Sequence, residues 1–157
     1  MEQQYTKIMT AVDGSNEAEL AFQKAVNVAK RNNAELLLAH VIDTRAFQTV
    51  SSFDNVLAEQ ATEMAKQTLN DYESYAKNAG CQKISKVIEY GAPKLMIATQ
   101  IPEEHDIDLI MLGATGLNAV ERLFIGSVSE YVIRNASCDV LIVRTDLNNQ
   151  LPDDDKD

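Results

Sequence analysis

Three glycines and a serine carry the strongest chemical suggestion in this chain. Gly113 and Gly116 stand three apart at the end of the apolar run Leu109-Ile110-Met111-Leu112, and Gly126 leads into Ser127 ten residues later. Glycine lets a backbone turn sharply or lie close against a ligand. A Gly-Ser pair ahead of a helical pattern offers unpaired backbone N–H groups, a hydroxyl and the positive end of a helix dipole, which together suit a phosphate. A side chain added at Gly113 or Gly126 is expected to occupy phosphate space. A surface turn would explain two glycines, but not the third with its serine. Upstream, Asp13-Gly14-Ser15 interrupts another apolar run. Asp13 suits a ligand contact or a turn and cap role, and the two are compatible. Arg122 lies between the glycines, where it either reaches a terminal phosphate or pairs in solvent with Glu121 or Glu130. His40, a lone histidine in a strand pattern, reads as structural, and His105 as a solvated loop residue.

These residues need a scaffold, and the hydrophobic pattern supplies one. Tyr5–Val12 reads as a first strand, and a helix capped by Ser15 or Asn16 follows, with Ala18, Ala21, Phe22, Ala25, Val28 and Ala29 on its apolar face. Glu35–Asp43 is nearly continuous in apolar residues, as in a strand buried on both faces of a parallel sheet. Residues 44–55 read as an irregular excursion. A long helix then carries Leu57, Ala61, Met64, Ala65, Leu69, Tyr72 and Ala76 and stops at Asn78-Ala79-Gly80. Lys83–Glu89 reads as an edge strand. Pro93 opens a helix with Leu95, Met96, Ala98 and Ile101 as its stripe, which Pro102 is expected to end or kink. The run at 109–112 is a fourth strand, Ser127 starts a helix with Val128, Tyr131, Val132 and Ala136, and Asp139–Arg144 is a fifth strand. Strict β-α alternation implies an α/β fold with parallel strands, helices on both faces and right-handed crossovers. One domain is expected over residues 1–144, followed by an acidic, flexible tail at 145–157.

Composition narrows the function. The net charge is −10, of which the last twelve residues carry −4. An acidic body does not suit nucleic acid, which needs a basic face, yet helix dipoles and Mg²⁺ can still make a small site for a polyanion such as ATP. No apolar run approaches the ~20 residues that span a bilayer. The N-terminus lacks the basic and apolar regions of a secretion signal. A cytoplasmic protein is expected. Neither Cys81 nor Cys138 has a Cys or His neighbour at metal-ligand spacing, and both read as reduced thiols.

In open α/β sheets ligands lie beyond the carboxyl ends of the strands. Three segments meet there: Ala11-Val12-Asp13, His40-Val41-Ile42-Asp43 and Gly113-Ala114-Thr115-Gly116. The spacing G-x2-G-x9-G-[ST], filled by Gly113, Gly116, Gly126 and Ser127, resembles that of the ATP-binding branch of the universal stress protein family. Residues 5–15, 126–134 and 140–144 are similar to that family's opening and close, so the resemblance runs nearly to Arg144. It implies an open, Rossmann-like five-stranded parallel sheet of order 3-2-1-4-5. It also implies ATP with Mg²⁺ as ligand. The Val41 backbone would pair with adenine, Ala11 and Val12 would line base and ribose, and Asp13 would lie near the ribose and the metal–phosphate region. Gly113, Gly116, Gly126, Ser127 and Val128 would cradle ribose and phosphates. A homodimer through the last strand, Asp139–Arg144, is implied as well. Two positions depart from the pattern: Asp139 and Ala11 stand where many or some members carry proline. With that strand order, Cys81 and Cys138 precede opposite edge strands roughly 19 Å apart, too far for a disulfide.

The function implied is a regulatory, ATP-binding stress-response protein that signals through nucleotide-dependent conformation or partner affinity. The alternatives are a slow ATPase or nucleotidyl transferase, and a ligand-free dimeric module. Fast phosphoryl chemistry is disfavoured, since the chain has no G-x4-G-K-[ST] loop and no Ser-His-Asp or Cys-His set converging on the pocket. A phosphoacceptor receiver domain would need an aspartate ending strand three and a lysine ending strand five. Glu89-Tyr90 and Val143-Arg144 stand there instead.

Overall fold

A computed structural model describes residues 1–47, 54–114 and 125–152 of the chain. Five strands, β1 (Lys7–Ala11), β2 (Glu35–Asp43), β3 (Ile84–Gly91), β4 (Leu109–Gly113) and β5 (Asp139–Val143), pair in parallel in the order β3-β2-β1-β4-β5. The order reverses between β1 and β4, and β1 is central with Met9 opposite both Leu37 and Ile110. Such central strands are buried on both faces, which is why β2 and β4 read as unbroken apolar runs.

Two apolar layers sandwich the sheet. α1 (Asn16–Asn32) and α2 (Asp54–Asn78) cover one face, where Phe22 packs edge-on against Tyr72 at 4.6 Å between ring centroids. On the other face lie α3 (Pro93–Leu95), a π-helical turn at Met96–Gln100, α4 (Ile101–Glu104) and α5 (Ser127–Asn135), packed through Ile97, Ile101 and Val132. A 3-10 turn at Thr44–Phe47 follows β2, so the excursion expected there begins as helix, while residues 48–53 lie outside the described residues. Ser15 caps α1, and Asn33 ends it in the left-handed conformation with φ 51°.

Three details of the expected pattern shift. Val26 is buried in α1 where Val28 is half-buried. In α2 the buried stripe is Ala65, Leu69 and Ala76, while Leu57 and Met64 are exposed. Met64 lies about 100° round the helix from Ala65, off that stripe. Pro102 neither ends nor sharply interrupts its helix. The preceding turn widens so that the Ile101 N–H reaches Met96 O, five residues back. That π turn takes up the extra residue ahead of a proline that cannot donate. The buried stripe is Met96, Ile97, Ala98 and Ile101, with Ile97 four residues before Ile101, while Leu95 is exposed.

Beyond β5, Asp146 Oδ1 accepts the N–H groups of Asn148 and Gln150, and Lys24 Nζ donates to Thr145 Oγ1 at 2.7 Å. The chain leaving the sheet is therefore tied to α1. Among the described residues no helix is long and apolar enough to cross a membrane. Both cysteines are free, and burial pushes each thiol above its ordinary pKa.

Candidate functional site

A cleft of about 370 Å³ opens at the carboxyl ends of β1, β2 and β4, where the strand order reverses. That volume lies within the ~300–1,000 Å³ of small-molecule sites. Its wall includes Ala11, Val12, Asp13, Val41, Gly113, Gly126, Ser127 and Val128. The fold thus brings together eight of the nine residues that the resemblance assigns to the nucleotide, the ninth being Gly116. Gly116 and Arg122 lie outside the described residues.

The floor of the cleft is apolar and its rim is made of helix starts. Ala11, Ala39 and Val41 alternate with residues of the opposite core, and Pro93 of α3 and Ile97 of the π-helical turn close the wall. Val12 belongs to the other face, 2% exposed beside Phe22, so it offers the cleft only backbone. β1 pairs with β2 as far as Ala11 opposite Ala39, and the Val12 N–H then donates to Ala39 O at 2.9 Å. Residues two apart in a strand direct their peptide groups to the same side. The N–H and C=O of Val41 therefore face the line of β1 beyond the point where β1 has ended. Gly14, with φ 83°, turns the chain away just there, in a conformation that favours glycine.

Two helix N-termini meet at this edge. In the first, Asp13 Oδ1 accepts the Ser15 N–H at 2.8 Å, and Ser15 Oγ accepts the Ala18 N–H at 3.2 Å. Asp13 is thus a turn-former that stays exposed, and the turn occupies only its Oδ1. In the second, Gly126 is the N-cap of α5 with no side-chain cap, and Ser127 is its exposed first residue. The Glu130 N–H is the first to bond within the helix, to Gly126 O, which leaves the N–H groups of Ser127, Val128 and Ser129 without intrahelical partners. The start of α5 is fixed to the end of β4 by two bonds, Gly126 N–H to Ala114 O and Ser129 Oγ to Gly113 O, each 2.8 Å. Ser129 had no signal in the sequence: its role exists only because β4 ends beside the first turn of α5.

Gly113 is required for a different reason from the one its spacing suggests. An added Cβ would lie 2.7 Å from Glu17 O and 2.9 Å from both Glu17 C and Cβ. It would press into the first turn of α1, not into space for a phosphate. The glycine is where helix and strand backbones touch, so substitution there acts on packing first.

Two titrating groups outside the cleft wall are perturbed. Tyr72 is raised, first by burial and then by the charges of Glu19 and Asp13. Asp43, at the end of β2, is lowered chiefly by its hydrogen bonds from Arg45, a fork closed at 2.7 Å. His40 Nδ1 lies 2.7 Å from Val12 O. Among the described residues no three His, Cys, Asp or Glu side chains converge as a metal cage. The arrangement can bind: it has an apolar slot, a pair of peptide groups aimed past a strand end, and two helix dipoles. Among the described residues no nucleophile paired with a base lines it.

Comparison with known proteins gives a consistent answer. The model of the family described as the universal stress protein family matches residues 4–144. A putative universal stress protein of Staphylococcus aureus (strain USA300) is 47% identical over 150 residues, covering 96% of this chain and 89% of that protein. Among solved structures, universal stress protein UspA from Lactobacillus plantarum superposes with a TM-score of 0.80 at 35% identity, over 91% of this chain and 100% of that one. A universal stress protein solved in complex with cAMP superposes at 0.72 with 28% identity, over 91% and 99% of the two chains.

Proposed function

The chain belongs to the universal stress protein family, and from that membership and the cleft we propose that it is a regulatory protein that binds an adenine nucleotide, ATP in the first instance. The observation that carries the reading is the pair of Val41 peptide groups facing past the end of β1 into the cleft. A backbone N–H beside a backbone C=O complements adenine, which presents an acceptor nitrogen next to a donating amino group. Guanine presents the reverse pattern there and would leave both peptide groups opposed. The similarity to a family member solved with cAMP supports an adenine nucleotide as the class of ligand.

In this reading Ala11 and the Val12 backbone line base and ribose, and Asp13 lies by the ribose and the metal. Gly126, Ser127 and Val128, with Gly116 of the loop, take the phosphates on the start of α5. Gly113 holds that edge together by close packing. The donors present fit a Mg²⁺ that arrives on the phosphates, with Asp13 supplying at most one carboxylate oxygen. The bound metal would neutralise phosphate charge next to Asp13. Output is a nucleotide-dependent conformation or partner affinity, and hydrolysis is slow at most, since among the described residues no base paired with a nucleophile lines the cleft. The exposed edge of β5, with Leu141 40% exposed and Val140 and Ile142 half-buried, suits pairing with a second copy through Asp139–Arg144.

The test is to denature freshly purified protein, identify released small molecules by chromatography, and record thermal melts with Mg-ATP, Mg-GTP and AMP. A ligand at 100 times its dissociation constant adds about 2.7 kcal/mol, roughly 5–10 °C for a chain of this size. A co-purified adenine nucleotide, or a shift with ATP and not with GTP, is expected. Neither a nucleotide nor a shift would leave the cleft without this ligand.

A further inference from the structure

The hydrogen bond from His40 Nδ1 to Val12 O, at 2.7 Å, takes an acceptor that the sheet would otherwise use itself. In a parallel ladder, Ala39 O accepts from Val12 N–H, and the next bond in sequence would run from Val41 N–H to Val12 O. That bond is not made. Pairing of β1 with β2 stops at Ala11 opposite Ala39, and Val12 O is held by the imidazole. A carbonyl only accepts, so Nδ1 carries the proton, and it does so in both the neutral and the charged ring. The side chain thus ends the ladder one bond early. It also satisfies a carbonyl that, half-buried at the strand end, would be costly to leave unpaired. The consequence falls on the neighbouring residue: the Val41 N–H is released into the cleft.

We infer that His40 is a positioning residue for the base site, holding the Val41 amide open by occupying the Val12 carbonyl. The inference rests on the adenine-nucleotide reading for its purpose but not for its geometry. Without the imidazole, Val12 O is free to draw Val41 N–H into one more ladder bond, and the donor of the pair is lost. Asparagine places its Nδ2 donor near the position of Nδ1, so His40→Asn keeps the carbonyl occupied, whereas His40→Ala does not.

The experiment uses the full chain and two readouts. Hydrogen exchange of the Val41 amide, followed by ¹H–¹⁵N NMR without nucleotide, is expected to be at least tenfold faster than that of the Ala39 amide in the wild-type protein. It should slow to the Ala39 rate in His40→Ala and be fast again in His40→Asn. Affinity for Mg-ATP is expected to fall about tenfold in His40→Ala, the scale of one hydrogen bond, and to return in His40→Asn, while weak binding of Mg-GTP is unchanged. A Val41 amide as protected as Ala39 in the wild-type protein overturns the inference, even if the alanine variant does not fold. So does wild-type ATP affinity in a folded His40→Ala. If the wild-type chain takes up no adenine nucleotide, the reading of the cleft fails, and the exchange pattern still decides whether His40 holds the amide open.

Discussion

Replacing Gly113 by alanine separates two explanations of why glycine stands there. The added Cβ would lie 2.7–2.9 Å from the backbone and Cβ of Glu17, about 0.6–1 Å inside ordinary carbon contact. The opposing atoms belong to the first turn of α1, which Ser15 and Asp13 hold in place, so no flexible side chain can move aside. Overpacking of this kind costs about 1–3 kcal/mol. Alanine recovers about 0.4–1 kcal/mol by restricting the unfolded chain, which, set against the middle of that overpacking range, leaves a net loss of roughly 1–2 kcal/mol. For a chain of this length the melting midpoint should fall by about 2–8 °C. The assay is thermal unfolding by circular dichroism without nucleotide, with Gly126→Ala as comparison. Gly126 has φ −61°, which any residue adopts, and an N-cap change from glycine to alanine costs about 1 kcal/mol or less. If Gly113→Ala melts at or above the wild-type midpoint and loses only nucleotide affinity, the close approach of β4 to α1 is not what the glycine serves, and the phosphate-space explanation stands instead.

Two further outcomes test the site and its surroundings. Ser127→Ala should weaken Mg-ATP binding by about 1.5–3 kcal/mol, the value of a hydrogen bond to a charged acceptor. The melting midpoint without nucleotide should not change, because Ser127 is exposed and does not cap α5; a loss well below that range would remove its hydroxyl from the phosphate site. Tyr5, through its hydrogen bond to Asp139, and Tyr72, through burial, both have raised pKa values in the folded protein. Their contribution to stability is therefore complete below the ordinary tyrosine value and is lost as pH rises through the folded values. In a spectrophotometric titration at 295 nm, Tyr5→Phe and Tyr72→Phe should each remove a late-ionising component; loss of an ordinary component instead would contradict these environments.

The sequence by itself determined the alternation of strands and helices, because a parallel sheet buried on both faces demands unbroken apolar runs and each crossover demands an amphipathic helix. It also marked the edge of the cleft, since Asp13, Gly14 and Ser15 announce a turn and cap wherever they fold, and Gly126-Ser127 announces a helix start. What it could not determine depended on which backbones become neighbours. Gly113 was marked as a residue needing no side chain, but only the contact with Glu17 shows against what. Ser129 acquires a role because the end of β4 lies beside α5. The π turn before Pro102 puts Met96, five residues back, on the same buried face as Ile101, a register that a 3.6-residue period does not supply. His40 read as structural from its lone position in a strand. That its imidazole replaces a ladder bond follows only from β1 ending opposite Ala39, because hydrogen-bond competition is a property of paired strands and not of either strand alone.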